Sequence, residues 1–191
     1  NEYQYTPIDI FQPLPLSSGS KLKRLIDDLT NHQDLIIRIS DGTLLGLLRD
    51  GRLIPHDNDI DFDVEWSRES EKIIKSIAKK NSWKIIRKVS YCKKLQQLTY
   101  FDEEKVIFDF IFWSTDARFA INFSEPGHFR VMHSKYLLDL VKKNIGEFNY
   151  LIPRDSEEWL IYRYGKNWNI PQLSKKDWKD DCGDLGRAWW L

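Results

Sequence analysis

The stretch GTLLGLLRDGRLIPHDNDIDFDV, residues 42–64, contains the pattern on which the fold prediction depends. Its second half has an aspartate at every other position: Asp57, Asp59, Asp61 and Asp63. Because alternate residues of a strand point to the same face, residues 59–64 are predicted to form a strand with its aspartates on one face. The apolar side chains between them then face the other way and pack in a core: Ile60, Phe62 and Val64.

Carboxylates this close together raise one another's pKa, and a fold tolerates them if a cation lies among them. Hard divalent ions bind such oxygens, and Mg²⁺ typically combines one or two carboxylates with phosphate oxygens of a substrate. The aspartate run therefore predicts a metal site for Mg²⁺ or Mn²⁺.

A further carboxylate, Asp109, interrupts the apolar run KVIFDFIFW at 105–113. A lone charge inside such a strand is costly unless it is paired or bound to metal. We expect this strand to lie beside 59–64, so that Asp109 completes a three-carboxylate cluster with Asp59 and Asp61. In the alternative interpretation, Asp109 forms a structural ion pair with an arginine or lysine. The two flanking aspartates, Asp57 and Asp63, are predicted to lie outside the cluster.

Three other interpretations of the aspartate run were considered. A calcium loop of the EF-hand type starting at Asp57 requires Gly at its sixth position and Glu at its twelfth, where this chain has Phe62 and Arg68. A solvated edge strand and the Asp-x-Asp motif of a sugar-nucleotide glycosyltransferase stay open as weaker alternatives.

The order of predicted elements indicates an α+β domain with a mixed sheet flanked by helices and a helical C-terminal part. Apolar spacing and capping residues predict helices over 20–31, over TLLGLLRD at 43–50, from an N-cap at Ser67 to about Asn81, and over SEEWLIYRY at 156–164. For the last helix, Asp155 and Glu158 are predicted to form a capping box, with Gly165 as the stop. Strands are predicted at 35–40, 59–64, 83–90, 94–101, 105–113, 117–123 and 128–132.

Length and composition predict one domain, residues 20–171, between an N-terminal surface segment (1–19) and a polar, Trp-containing tail (172–191). With 29 basic and 29 acidic residues the formal net charge is zero, which argues against nucleic acid as a partner. No apolar run is long enough to span a bilayer. The two cysteines are expected to be free thiols. Since the chain starts at Asn1, an upstream segment or a larger polypeptide is expected.

Three ordered blocks of the chain resemble the LicD/fukutin family, which has a nucleotidyltransferase fold of the polymerase β type. They are GTLLGLLRDGRLIPHDNDID, then VIFDFIFW, then YLIPRDSEEWLIYRYGKNWNIP, and the resemblance runs from about 20 to 171. Two positions depart from the family's pattern: His56 stands where Trp is usual, and Asn58 where Asp is usual. Neither is on the expected metal face, so the departures concern substrate preference.

The resemblance implies a metal-dependent transferase. Its donor would be a CDP-activated alcohol, and the group moved would be phosphocholine, ribitol phosphate or glycerol phosphate. The acceptor would be a sugar hydroxyl of a glycan or glycolipid. The cytoplasm of a bacterium is the expected compartment, with the lumen of the secretory pathway as the alternative. Two other functions stay open: transfer of a nucleoside monophosphate to a small hydroxyl compound, and a non-catalytic glycan-recognition module.

Within this reading the first block supplies a site for the donor. Gly42 lets backbone approach a phosphate, and Thr43 offers a hydroxyl and an amide at a helix N-terminus, where anions bind readily. Arg49 is predicted to clamp a phosphate through its planar guanidinium, although a surface arginine is the simpler alternative. His56 is expected to contact donor or acceptor, or to be merely solvated. Asp59, Asp61 and Asp109 are the expected catalytic residues, with Asp109 as the base.

Overall fold

The computed structural model describes residues 2–5, 12–124, 128–146, 148–171 and 185–187. These residues contain five helices: α1 (Ser18–Thr30), α2 (Asp41–Asp50), α3 (Arg68–Lys80), α4 (Lys135–Leu138) and α5 (Ser156–Tyr164). They also contain eleven strands: β1 (Glu2–Tyr5), β2 (Ile37–Ile39), β3 (Asp59–Glu65), β4 (Lys84–Tyr91), β5 (Lys94–Phe101), β6 (Ile107–Thr115), β7 (Phe119–Asn122), β8 (His128–His133), β9 (Leu140–Ile145), β10 (Phe148–Pro153) and β11 (Leu185–Arg187).

Nine of these strands form one mixed sheet, and β9 and β10 form a separate hairpin. The order along the main path is β1-β4-β5-β6-β7-β8-β11, and β3 pairs with both β2 and β6. The β3–β6 pair is parallel, whereas β2 runs antiparallel to β3 and β5 runs antiparallel to β6. The predicted mixed sheet with flanking helices is therefore confirmed.

The alternation in β3 divides the sheet into an apolar face and a carboxylate face. Ile60, Phe62 and Val64 are at most 1% exposed, as predicted. Phe62 stacks on Phe110 of β6 with ring centroids 5.1 Å apart. These side chains form one hydrophobic core with the apolar sides of α1 and α3. On the opposite face the parallel register places Asp61 directly beside Asp109.

The helix ends agree with the sequence in one case and differ in another. Ser67 caps α3 as predicted, in a capping box completed by Ser70. The predicted capping box of α5 is wrong, because Asp155 makes no side-chain cap bond. Asp155 and Glu158 instead accept hydrogen bonds from Lys135 Nζ at 3.0 and 2.8 Å. A nearby ammonium competes successfully with the backbone amides for both carboxylates.

Several elements were not predicted from the sequence. No element was predicted for the region of helix α4 and the β9–β10 hairpin. Because of the hairpin, the described C-terminal part is less helical than expected. Strand β1 lies in the expected surface segment and pairs with β4, and β11 lies in the expected tail and pairs with β8. Cys92 is exposed and free. Cys182 and the tryptophans of the tail lie outside the described residues.

Candidate active site

Thr43 links the start of α2 to β3 by hydrogen bonding. The backbone N–H of Asp61 donates to Thr43 Oγ1 at 2.8 Å, and the Thr43 amide nitrogen lies 3.4 Å from Asp61 Oδ2. The Thr43 side chain is buried, with the residue only 1% exposed. In this structure the anion next to Thr43 is thus the carboxylate of Asp61. A contact of Thr43 with a donor phosphate stays a prediction.

Both glycines of GTLLG lie at close approaches, Gly42 against carboxylate side chains and Gly46 against the backbone. A Cβ added at Gly42 would lie 2.3 Å from Asp57 Oδ2 and 3.6 Å from Asp61 Oδ2. A Cβ added at Gly46 would lie 2.8 Å from the Arg52 carbonyl oxygen. Gly42 therefore lets α2 begin directly against the carboxylates, and Gly46 lets the return loop fold back onto the helix.

Three carboxylates converge at the beginning of β3. Asp57, Asp59 and Asp61 each offer an oxygen within 4.8 Å of the other two; we call these residues the carboxylate cluster. The sequence prediction placed Asp57 apart from this group, and the structure corrects it. The chain turns before β3, with the Asp57 N–H donating to the Ile54 carbonyl at 3.1 Å. Asp57 precedes the first residue of β3, so strand alternation gave no information about its side chain, and the turn brings it to the other two aspartates.

Asp109 faces the same side of the sheet but lies outside this tight group. Gln97 Nε2 donates to its two oxygens at 2.9 and 2.8 Å, and Thr99 Oγ1 donates to Oδ1 at 2.6 Å. Arg87 Nη1 donates to the side-chain oxygen Oε1 of Gln97 at 3.2 Å. The direct partners of Asp109 are thus neutral side chains, with an arginine behind them. Binding of one ion by Asp59, Asp61 and Asp109 together stays a prediction.

Burial and mutual repulsion dominate the electrostatics of the site. Burial raises the pKa of Asp59 well above its usual value, and the charges of Asp57 and Asp109 add to the shift. Burial also raises the pKa of Asp61 well above its usual value, with contributions from Asp59 and Asp41. Burial raises the pKa of Asp109, although the bonds from Thr99 and Gln97 oppose the increase.

Asp63 has a different environment although it follows Asp61 on the same face of β3. Arg38 Nη2 lies 2.5 Å from its Oδ2, and both side chains are fully buried. Ser40 Oγ and Trp113 Nε1 each donate to the carboxylate at 2.7 Å. The position of Asp63 outside the cluster agrees with the sequence prediction.

The two other predicted donor-binding residues lie at the edge of the site. Arg49 donates from Nε and Nη2 to the neighbouring Asp50 at 2.9 and 2.7 Å. His56 is exposed. Burial raises the pKa of the adjacent Asp57, and His56 partly opposes that increase. The structure thus shows Arg49 as an ion-pair partner of its neighbour, and donor binding by both residues stays a prediction.

Sequence reasoning missed several residues of the site. Gln97 and Thr99 orient Asp109, but alternation in β5 alone does not single them out. Asp41 binds Arg130 and Arg163 beside the cluster. Its position immediately before GTLLG was a usable signal, whereas the two arginines are remote in sequence and are brought in only by the fold.

The donor set fits a divalent ion. Carboxylate oxygens are the ligands that Mg²⁺ and Mn²⁺ accept. The three cluster residues are crowded, and burial raises the pKa of each. Space next to them is kept open by the missing side chain of Gly42. Among the described residues, this cluster is the group of three or more ligand-type side chains close enough to share an ion.

Comparison with solved structures identifies the class of fold. The chain is similar to the crystal structure of the lincosamide antibiotic adenylyltransferase LnuA bound to lincomycin. The TM-score is 0.51 at 15% sequence identity, over 79% of this chain and 87% of that chain. At this identity the likeness shows a nucleotidyltransferase fold and nothing finer.

Comparison with family profiles identifies the family as well as the fold. The profile described as LicD/FKTN/FKRP, nucleotidyltransferase domain, matches residues 37–155, more than half of the chain. The protein belongs to this family, as the three sequence blocks predicted, and family and fold together support a transferase. No curated protein matches the chain in sequence. Within the described ranges, no helix is both long and apolar enough to cross a membrane.

Proposed function

We propose that this protein is a metal-dependent transferase that moves a phospho-alcohol from a CDP-activated donor to a sugar hydroxyl of a glycan or glycolipid. The observation that carries the proposal is the crowded carboxylate cluster of Asp57, Asp59 and Asp61, of which Asp61 is buried and the other two are partly buried, in a chain of the LicD family. We further propose the bacterial cytoplasm as its compartment.

Substitution at phosphorus depends mainly on charge neutralisation and in-line positioning. Asp59 and Asp61 would hold Mg²⁺ or Mn²⁺, with Asp57 as a further oxygen ligand. The ion supplies positive charge to the phosphate oxygens of the donor when it is bound. The crowding of these carboxylates supports this assignment, because a cation would relieve their repulsion.

Asp109 is the proposed base for the acceptor hydroxyl. It comes from β6 and lies beside Asp61 in the parallel register, so it flanks the cluster rather than belonging to it. The hydroxyl oxygen forms the new bond to phosphorus, CMP leaves, and Asp109 takes the hydroxyl proton. The hydrogen bonds from Gln97 and Thr99 hold its carboxylate in place for that transfer.

The donor side of the site is assigned to the start of α2 and the loop after it. Gly42 keeps the space next to the cluster free for a phosphate. Arg49, whose side chain is 12% exposed in its pair with Asp50, would exchange that partner for a donor phosphate. His56 would contact the donor or acceptor from its exposed position beside Asp57.

The direct test is a screen of CDP-choline, CDP-ribitol and CDP-glycerol with Mg²⁺ or Mn²⁺, measuring CMP release. Slow hydrolysis without a glycan acceptor is expected for the correct donor, and chelation of the metal should abolish it. The Asp59→Asn variant should lose CMP release, whereas Asp116→Asn, at an exposed turn, should retain it. Absence of CMP release with all three donors and both metals would contradict the proposal.

A second candidate is nucleotidyl transfer to a small hydroxyl compound, because the similar structure, LnuA, is that of an antibiotic adenylyltransferase. The products separate the two reactions. In the first, CMP is released and the acceptor gains a phospho-alcohol. In the second, the acceptor gains the mass of a nucleoside monophosphate, which mass spectrometry distinguishes directly.

A further inference from the structure

Asp41, the first residue of α2, has an unusual backbone conformation. Its φ is +38°, in the left-handed region that residues with a Cβ adopt at a cost. Such strain persists only when surrounding contacts hold the residue in place, and it concentrates at functional sites. The next residue is Gly42, whose backbone lies against Asp57 and Asp61. The conformation of Asp41 therefore determines how α2 approaches the carboxylate cluster.

Two buried arginines hold the Asp41 side chain. Arg130 of β8 donates from Nη1 to Oδ2 and from Nη2 to Oδ1, both at 3.1 Å, and Arg163 of α5 donates from Nε to Oδ1 at 3.0 Å. Each arginine side chain is 5% exposed. The Arg130 guanidinium lies over the Trp113 ring, with Cζ 5.1 Å from the ring centroid, and the Arg163 guanidinium lies over the Tyr164 ring, with Cζ 4.9 Å from the centroid. Charge-assisted, buried bonds of this kind are the strong ones.

The charge of Asp41 does not itself help the cluster. It lies near enough to Asp59 and Asp61 to oppose their ionisation. A strained backbone and an additional negative charge beside crowded carboxylates are both unfavourable. In the metal-free protein, what Asp41 contributes is therefore the position of the start of α2, which its contacts with the two arginines fix.

We propose that Asp41, Arg130 and Arg163 form a positioning lock for the carboxylate cluster. The lock fastens the start of α2 to β8 and α5, so that Gly42 and Thr43 stay against Asp57 and Asp61. It makes the shape of the metal site depend on the C-terminal helix, which is remote in sequence. This inference rests on the proposed function, in that the cluster is taken to bind a divalent ion.

Two variants test the lock, each with a matched control. Asp41→Asn keeps the size of the side chain and tolerates the left-handed conformation, but it removes the charge that the arginines bind. Arg163→Gln is milder, because it leaves the Arg130–Asp41 pair intact. The controls, Asp139→Asn and Arg154→Gln, break an exposed pair in which Arg154 Nε donates to both Asp139 oxygens at 3.0 Å.

The first readout is Mn²⁺ affinity by titration calorimetry. We expect Asp41→Asn and Arg163→Gln to weaken it at least tenfold, and the controls to leave it unchanged. The second is amide hydrogen exchange by mass spectrometry in the metal-free protein. Peptides covering 41–47 and 57–63 should exchange faster in both variants, whereas peptides covering β4 and β5 should not.

The outcomes separate the lock from the proposed function. Failure of the unaltered protein to bind Mn²⁺ would contradict the proposed function. The hydrogen-exchange data alone would then test whether the lock holds the start of α2 in place. Unchanged exchange at 41–47 and 57–63, or affinities equal to those of the controls, would overturn the lock. If Asp41→Asn fails to fold, Arg163→Gln decides the question by the same measurements.

Discussion

Asp61 and Asp63 lie two residues apart on the same face of β3, and both are buried, yet their surroundings are opposite. The antiparallel register of β2 and β3 pairs Asp63 with Arg38. Strand β2 ends at Ile39, so no residue of β2 continues the pairing to Asp61. On its other side Asp61 has Asp109. One carboxylate is therefore neutralised by a cation, and the other is surrounded by more carboxylates.

The difference shows which buried charge belongs to the fold and which to the site. Burial raises the pKa of Asp63, but Arg38 and Ser40 oppose the shift. The pKa of Asp61 is raised by burial and by the charges of four other aspartates: Asp59, Asp41, Asp57 and Asp109. A buried ion pair supports folding only while both partners are present. A carboxylate cluster without a cation is a cost to the fold, and the metal binding proposed above would offset that cost.

The largest expected effect is on stability at Asp63. The change Asp63→Asn leaves the buried guanidinium of Arg38 without its anionic partner, which should cost about 3–5 kcal/mol in free energy of unfolding. Urea denaturation measures this directly. The control is Asp28→Asn in the exposed Lys80–Asp28 pair, for which the expected loss is about 0–1 kcal/mol. Equal losses of unfolding free energy in Asp63→Asn and Asp28→Asn would contradict the structural role assigned to the buried Arg38–Asp63 pair.

The opposite pattern is expected at Asp61. Asp61→Asn removes one of the crowded carboxylates, so the melting temperature of the metal-free protein should stay the same or rise. CMP release should fall about 10²–10³-fold, the size typical for loss of one electrostatic contact to a transition state. Asp63→Asn, assayed below its own melting temperature, provides the comparison. A destabilised but active Asp61→Asn variant would reverse the roles assigned to the two residues.

A smaller effect is expected when the space beside the cluster is filled. Gly42→Ala would bring its methyl group into contact with Asp57 Oδ2, and overpacking of this kind costs about 1–3 kcal/mol. Mn²⁺ affinity, measured by calorimetry, should fall with it. Gly19→Ala in α1 is the matched control, since a Cβ there meets nothing within 4 Å. This control should be neutral or slightly stabilising, and a similar loss in both variants would argue against a special role for Gly42.

The crowded carboxylates also predict a pH dependence of stability. A group whose pKa is raised on folding contributes stability below its unfolded pKa, and this contribution is lost as pH rises through the raised folded pKa. For Asp59 and Asp61 the metal-free protein should therefore lose stability from about pH 4 upward, by about 1.4 kcal/mol for each unit of raised pKa. Urea denaturation over a pH series measures the slope.

Two additions sharpen this measurement. Asp61→Asn should flatten the pH dependence, and saturating Mg²⁺ at neutral pH should restore the lost stability by binding the folded state. A flat profile in the unaltered protein would show that the carboxylates are not destabilising one another.

The smallest expected effect concerns Arg49, which lies outside both regions. Arg49→Ala should raise the donor KM or lower kcat by a few-fold to tenfold, about 1.4 kcal/mol at most, with a melting temperature within a few degrees of the unaltered protein. Steady-state CMP release at varied donor concentration measures this. Loss of folding instead would identify the Arg49–Asp50 pair as structural.

Local pattern predicted much of this architecture. The alternation of β3 separated its apolar and carboxylate faces correctly because strand geometry has a period of two. The apolar spacing of α1 and the N-cap of α3 were also local signals, and both predicted their helices correctly. By contrast, the β9–β10 hairpin carries mixed polar and apolar residues without a clear alternation, so no local signal identified it.

The sequence by itself determined the family, the strand β3 and the candidate carboxylates Asp59, Asp61 and Asp109, since each depends on residues close together in the chain. Only the tertiary structure decided their partners. It places Asp57 beside Asp59 and Asp61, and strand register pairs Asp63 with Arg38. It also brings Arg130 and Arg163 to Asp41. The physical reason is that burial and Coulomb interaction depend on distance in space, which the spacing of residues along a chain does not encode.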